Sequence, residues 1–373
     1  MVNVAVLGST GSVGRNTLEV IAAHPQRLRV AALAARSRSE TLEAQISRWA
    51  PADVAVWDEQ GLDGLIRVAT RPDVDLVVAA TSGQEALVAV VRAICAGKRI
   101  ALASKELLVM AGELIMRLVR EHGTQLVPID SEHAAVFQCL RGVAREDVAR
   151  ITITGSGGPL WALSPEARRA ATRDQVLTHP KWRMGPKITV DSATLMNKGL
   201  EIIEARWLFD VPFDRIRVLI HPEAVVHAMV ELRDGTTLAQ MSPCDMRLPI
   251  QYALSYPERW TPPSSWPSSD LTPLGRLTFA EPDVQEFPCL RLSLQTAAAG
   301  GTACAALNAA NDAAVRAYLH DAIKFAEIPR VIEDVLRQHA PIAQPTLDDV
   351  LRVDAWARAA AAELMAIPAP LAS

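Results

Sequence analysis

An apolar run from Val2 to Leu7 passes directly into Gly8-Ser-Thr-Gly11-Ser-Val-Gly14 and then into a helical pattern from Asn16 to Ala23. Strand, glycine-rich turn and helix in that order constrain the fold more than any other stretch. Glycines let the backbone approach a pyrophosphate, and the amides of the helix N-terminus face it. The spacing is G-x-x-G-x-x-G rather than G-x-G-x-x-G, which also suits a tight turn with no ligand. A second strand, Leu28 to Ala35, ends where an Asp or Glu would bind the ribose of NAD. Arg36-Ser37-Arg38 stands there instead. Two guanidiniums beside a hydroxyl suit a 2′-phosphate, so NADP is expected in preference to NAD.

Apolar runs at Val54 to Trp57, Val74 to Ala80 and Arg99 to Ala103, with a helical segment from Glu85 to Ala96, continue the alternation and imply a parallel sheet. The run from Arg99 ends at Ser104-Lys105-Glu106. A helix from Glu113 to His122 leads to the strand Gln125 to Ile129, which ends in Asp130-Ser131-Glu132-His133. Polar residues at the carboxyl ends of such strands face the ligand crevice. In extended chain Asp130 and Glu132 point to the same side. Converging carboxylates repel unless they share a proton or a cation, so a hard divalent ion is the natural third party. An acidic surface turn has the same sequence.

The stretch His179 to Leu208 combines chemistry with packing. After an extended run from Lys187 to Val190, Asp191 or Ser192 is an expected N-cap, and Ala193 to Leu208 reads as one helix. Met196, Leu200, Ile203 and Trp207 form its core stripe. Asn197, Lys198 and Glu201 project together at i, i+3 and i, i+4 spacing. A lone Lys-x-x-Glu is usually an exposed pair, but Leu195, Ile202 and Leu208 make this helix apolar nearly all round. Charges kept on such a helix are costly unless they meet a ligand, a metal or each other. With Glu201 as a third oxygen donor beside Asp130 and Glu132, and no His or Cys, the metal would be Mg2+ or Mn2+.

Gly155-Ser156-Gly157-Gly158-Pro159, after the strand Ile151 to Thr154, offers amides and a hydroxyl to an anion. His179 to Pro186, with Trp182, Met184 and Gly185, reads as a loop able to close over a ligand, or equally as a static one. Strands follow at Arg217 to Ile220, Ala224 to Leu232 and Thr236 to Met241, with Asp234-Gly235 as a hairpin turn. Five prolines between Pro257 and Pro273 mark a linker. From about Ser293 the chain is helical and alanine-rich. Gly300-Gly301 breaks it, Pro329 opens another helix, and Thr346 with Asp349 caps the last.

At 373 residues the chain exceeds one core. A net charge of −4 gives no electrostatic case for nucleic acid or a membrane surface. No window holds the roughly 20 apolar residues of a membrane span. The first residues run straight into a strand, with no room for a signal peptide, so a cytoplasmic location is expected. Five scattered cysteines, Cys95, Cys139, Cys244, Cys289 and Cys304, form neither a disulfide framework nor a zinc site and are expected as core thiols.

Together these motifs resemble the 1-deoxy-D-xylulose 5-phosphate reductoisomerase family. The resemblance covers nearly the whole chain, through GSTGSVG, ALASKE, PIDSEHAAVFQCL, TGSGGP, HPKWRMGPKITVDSATLMNKGLEIIEA, IHPEAVVHAMV, DMRLPIQYAL and LNAANDAAV. It implies an enzyme using NADPH and Mg2+ or Mn2+ to rearrange and reduce 1-deoxy-D-xylulose 5-phosphate to 2-C-methyl-D-erythritol 4-phosphate for isoprenoid precursors. It implies a homodimer acting on a small phosphorylated ketose. The metal ligands implied are Asp130, Glu132 and Glu201. Ser156, His179, Ser192, Asn197 and Lys198 would contact phosphate and sugar, with Lys105 and Ser131 near the reacting carbons. Cofactor contacts would be Thr10, Gly11, Ser12, Val13, Arg36, Ser37, Arg38, Ser104, Glu106 and Gly185.

The expected architecture is α/β: an N-terminal Rossmann-like NADP-binding domain over 1–130, a central α+β catalytic domain over 131–260, a Pro-rich linker over 261–291 and a C-terminal helical bundle over 292–373. Ser104 departs from the family's usual Asn, the Arg36 to Arg38 turn from its usual small residue and x-Asn, and Ala134 and Asp312 from Ser and Glu. A metal-independent NADP-dependent semialdehyde or hydroxy-acid dehydrogenase would share the N-terminal half without needing three carboxylates. A non-catalytic NADP-binding sensor would not retain Asn197, Lys198 and Glu201.

Overall fold

The computed structural model describes residues 1–81, 86–268, 270 and 272–366. The expected helix start at Glu85 lies outside them. In chain order the elements begin β1 Val2–Leu7, α1 Ser12–Ala23, β2 Leu28–Ala35, α2 Glu40–Trp49, β3 Asp53–Val56, α3 Trp57–Thr70, β4 Leu76–Ala79 and α4 Leu87–Cys95. They continue with β5 Arg99–Leu102, α5 Lys105–Glu121, β6 Leu126–Pro128, α6 Ser131–Cys139, β7 Val148–Gly155, α7 Pro165–Arg169, α8 Arg173–Leu177, α9 Pro186–Ala193 and α10 Met196–Phe209. The rest are β8 Ile216–Ile220, β9 Val226–Leu232, β10 Thr237–Met241, α11 Arg247–Ser255, α12 Pro288–Ala299, α13 Ala303–Leu319, α14 Ile328–Gln338 and α15 Leu347–Leu364.

Two compact units result. The first comprises Met1–Leu107, Ile115–Val143 and Ala239–Asp270, the second Leu108–Leu114, Ala144–Leu238 and the described part of Leu271–Ser373. Both units are built from segments far apart in sequence. The reason lies in packing. Ile250, Ala253 and Leu254 of α11 are buried in the same core as Val4, Val6, Leu33, Leu76 and Val78, so a late segment completes the first unit. Nor does the proline-rich stretch hang free, because Trp260 and Trp266 pack against that core.

In the first unit β1 to β6 form a parallel sheet in the order β3-β2-β1-β4-β5-β6. Short strands of Val, Ala and Leu, buried on both faces, are what helix-covered parallel sheets require. The order reverses between β1 and β4, which opens a crevice beyond their carboxyl ends. A four-stranded sheet runs in the order β10-β9-β7-β8, with β7 parallel to β8 and antiparallel to β9, and β7, β8 and β9 belong to the second unit. Gly235, at φ +86°, turns the β9–β10 hairpin as expected. The C-terminal helices begin at Pro288 rather than Ser293, part at Gly300-Gly301, and end with α15 capped reciprocally by Thr346 and Asp349.

Five local expectations are corrected. Trp57 opens α3 instead of closing β3. Asp130 is the N-cap of α6 and Glu132 sits in its first turn, so the pair is not extended. Lys187 to Val190 are helical, because Pro186 at the first helical position presets φ and outweighs the β-branched Ile188-Thr189-Val190 run. The single expected helix is broken at Leu195, whose φ of +56° separates α9 from α10. All five cysteines are free thiols; Cys289 and Cys304 are buried, whereas Cys95 is exposed and is not a core thiol. No helix among the described residues is long and apolar enough to cross a membrane.

Candidate active site

In the first unit a cleft of about 170 Å³ lies over the switch between β1 and β4, lined by Gly8, Thr10, Gly11, Arg36, Trp57, Leu65 and Thr81 among others. Gly8 has φ +85°, and a side-chain carbon there would fall 2.5 Å from the Ala80 carbonyl oxygen. One at Gly14 would run into the backbone of Gly8 and Ser9. Gly11 caps α1 with no side-chain acceptor, so the first-turn amides, including those of Ser12 and Val13, are available to an anionic ligand. Gly14→Ala is therefore expected to abolish nucleotide binding by deforming the cradle, read as loss of NADPH fluorescence enhancement.

Arg36, Ser37 and Arg38 are exposed past the end of β2. Arg38 is engaged by two carboxylates, 2.7 Å from Glu43 and 2.8 Å from Glu59, while Arg36 lines the cleft. Trp57 and Leu65, apolar walls opposite the glycines, escaped the sequence reading because nothing local distinguishes them from core.

At the other end of the sheet, Ser104 stands at the N-cap position of α5 without bonding its amides, and its hydroxyl lies within hydrogen-bond reach of the carbonyls of Ala79, at 3.2 Å, and Thr81. Lys105 is buried with its Nζ 2.5 Å from Asp130 Oδ2, and Ser131 donates to Glu132 Oε2 at 2.5 Å. His133 is fully buried, its Nδ1 3.8 Å from Asp130 Oδ2. Lys105, Asp130, Ser131 and Glu132 thus come together, with Glu106 in the first turn of α5 beside them.

The second unit gathers its expected residues around the end of β7. Glu201 is fully buried and Lys198 is 6% exposed. Lys198 Nζ donates to Glu201 Oε2 at 2.6 Å and to the Thr154 carbonyl at 3.0 Å, while Asn197 Nδ2 donates to Glu201 Oε1 at 2.5 Å. The Lys198 stem lies so close over Gly155 that a side-chain carbon there would sit 2.9 Å from it. Glycine at 155 is thus needed for close approach. Gly158 gives the same room to Ser192, whose carbonyl and hydroxyl oxygens would be 2.5 and 3.0 Å from an added carbon.

His179 Nδ1 accepts from the backbone amides of Lys181 and Trp182, at 3.2 and 2.9 Å. This fixes the proton of the neutral ring on Nε2, 3.1 Å from Ser156 Oγ. Ser156 Oγ accepts there and from the Gly158 amide at 3.2 Å. Its own proton is left to point at an incoming anion. Burial first, and the Lys198 ammonium second, lower the His179 pKa to about 4. The ring is neutral at pH 7. Gly185, the N-cap of α9, is exposed, and a side chain there would meet nothing within 4 Å. The sequence reading missed Thr154, the acceptor for Lys198, which only pairing of β7 with its neighbours identifies.

Comparison with known proteins gives one consistent result. Family models described as "1-deoxy-D-xylulose 5-phosphate reductoisomerase", its C-terminal domain, and "DXP reductoisomerase C-terminal domain" match residues 4–63 and 59–112, 126–209, and 241–360. A 1-deoxy-D-xylulose 5-phosphate reductoisomerase of Moorella thermoacetica is 50% identical, the match covering 95% of this chain and 96% of that one. The structure of such an enzyme from Zymomonas mobilis in complex with NADPH superposes with a TM-score of 0.87 at 39% identity, covering 98% of this chain and 99% of the other. A DOX-P reductoisomerase in complex with NADPH, fosmidomycin and magnesium gives 0.90 at 38% identity over 98% of each.

Proposed function

The chain belongs to the 1-deoxy-D-xylulose 5-phosphate reductoisomerase family, and from that premise we infer that its residues carry the family's reaction. That reaction is the NADPH-dependent rearrangement and reduction of 1-deoxy-D-xylulose 5-phosphate to 2-C-methyl-D-erythritol 4-phosphate in isoprenoid precursor synthesis. The observation that carries the residue-level reading is the bonded set Asn197, Lys198 and Glu201, the last two buried, beside Ser156, His179 and Ser192. A metal-free dehydrogenase or a binding-only sensor has no use for it.

The donor set fits a hard divalent cation: Asp130, Glu132 and Glu201 offer oxygen only. The glycine cradle and the uncapped N-terminus of α1 fit the pyrophosphate of NADPH. When bound, Mg2+ or Mn2+ polarises the oxygens of the reacting carbons and NADPH supplies the hydride. The remaining work belongs to side chains. Ser156, Ser192, Asn197 and Lys198 hold the phosphate end, and neutral His179 donates through Nε2 to Ser156, fixing that hydroxyl's direction. Lys105 and Ser131 act near the reacting carbons. Thr10, Gly11, Ser12 and Val13 hold the pyrophosphate, Arg36, Ser37 and Arg38 the ribose phosphate, and Ser104, Glu106 and Gly185 the nicotinamide side. Residues 1–130 serve mainly the cofactor and 131–260 mainly the substrate. The loop Pro180 to Pro186 closes over the substrate with Trp182. The enzyme works as a cytoplasmic homodimer.

The test is oxidation of NADPH on adding the ketose phosphate with Mg2+, and its loss in chelator. Absence of turnover under saturating metal would sink the reading. Within the cofactor site the two arginines are not equivalent. Arg36 lines the cleft, so Arg36→Ala is expected to raise the KM for NADPH by about tenfold, and Arg38→Ala, whose guanidinium binds Glu43 and Glu59, by less, with the KM for NADH unmoved by either. Equal effects of both substitutions on both cofactors would remove the turn from the 2′-phosphate site.

A further inference from the structure

The motif LNAANDAAV lies on α13, and none of the roles above uses it. Two of its residues are buried against α9. Asn311, fully buried, donates from Nδ2 to Asp191 Oδ1 at 2.9 Å. Asp191 is itself 1% exposed, and its other oxygen lies 2.8 Å from Lys187 Nζ. Asp312 pairs with Arg316 at 3.0 Å and with Arg358, which is also 2.7 Å from Asp354 on α15. Burial works to raise the Asp312 pKa, and Arg358, Lys187 and Arg316 together hold it below its ordinary value. Lys187 therefore pairs with Asp191 and helps hold down the Asp312 pKa, and Asp191 ties α9 to α13 through Asn311.

Asp191 precedes Ser192, and Ser192 abuts Gly158 in the turn that carries Ser156. Three residues beyond Ser192 the chain reaches the left-handed Leu195 elbow, after which α10 presents Asn197, Lys198 and Glu201. The rotation of α9 about its axis thus sets where the Ser192 hydroxyl points. A lone buried carboxylate would not fix that rotation, because it can swing between donors. One held from two sides, by an ammonium on its own helix and an amide on α13, cannot.

We propose that Asn311 and Asp191 are positioning residues for the substrate phosphate: their hydrogen bond locks α9 so that Ser192 meets the phosphate end of the ketose phosphate. This rests on the functional reading above. Neither residue touches substrate.

The test compares Asn311→Asp, Asn311→Leu and the exchange pair Asn311→Asp with Asp191→Asn. In the first, two carboxylates face each other; in the second, the donor is gone. Both are expected to raise the KM for the ketose phosphate about tenfold while kcat per folded enzyme and the KM for NADPH hold. The exchange pair restores a donor opposite an acceptor and is expected to return the KM to within about threefold of the parent. A purely structural role would lower the melting temperature and the active fraction without moving this KM. An unchanged KM in the folded Leu variant, or a folded exchange pair whose KM stays high, overturns the proposal. Should the single variants not fold, the exchange pair alone decides. A parent that does not turn over the ketose phosphate would overturn both this inference and the functional reading; an active parent with unmoved variants overturns this inference alone.

Discussion

Glu201→Gln is expected to lower turnover of the ketose phosphate by about a thousandfold, the scale of several kcal/mol of lost charge stabilisation. The substitution keeps the size of the side chain but changes its neighbours' situation twice over. Glu201 is fully buried and accepts from both Lys198 and Asn197. A Gln oxygen can keep one of these donors, while its amide turns toward an ammonium or another amide. Removing one partner of a buried pair costs about 3–5 kcal/mol. A fall in melting temperature should therefore accompany the loss of activity. The apolar stripe Met196, Leu200 and Ile203 is buried and untouched, so the fold is expected to survive. The proposed metal role has a separate readout. In a titration with Mg2+ or Mn2+, followed by NADPH oxidation, the variant should need far more metal than the parent for any residual rate. An unaltered metal dependence would remove Glu201 from the ligand set and leave it as the counter-ion of Lys198.

The division between what the sequence made legible and what it hid is physical. The parallel sheet could be read because each strand is a short apolar run closed by glycine or polar residues, as at Leu7-Gly8 and Leu102 to Ser104. Asn197, Lys198 and Glu201 could be read because helical spacing alone brings them together, and the structure bonds them. The α9–α10 break could not, since Leu195 carries no local signal for a left-handed backbone; tertiary packing imposes it. Lys187 to Val190 misled because β-branched residues favour strands, while the Pro186 start and burial of Thr189 and Val190 favoured helix. The membership of α11 in the first unit was hidden for a similar reason. Its partners Val4 and Leu33 lie more than two hundred residues away in sequence, and only the assembled core reveals them. The same holds for Asn311 and Asp191, 120 positions apart.

Lys198→Met tests the proposed role of Lys198 at the phosphate end of the substrate. Lys198 is buried with its ammonium between Glu201 and the Thr154 carbonyl, and Met preserves most of the stem that lies over Gly155. Loss of a charge-assisted contact to phosphate is expected to raise the KM for the ketose phosphate by about a hundredfold. The variant also reports on His179, whose pKa of about 4 is set first by burial and second by Lys198. Without the ammonium the pKa should rise, yet remain below 6.5 because burial persists. A group whose folded-state pKa lies below its unfolded value binds fewer protons when folded throughout the window between the two. In the parent, the His179 contribution to stability is therefore present above about pH 6.5 and declines as the pH falls toward 4. In Lys198→Met that decline should end at a higher pH, because the window is narrower. Imidazole proton shifts recorded from pH 3 to 8 in both proteins measure the two titrations directly. A His179 pKa unchanged by the substitution would mean that burial and the two backbone amides on Nδ1 account for the whole displacement, and that Lys198 is screened from the ring.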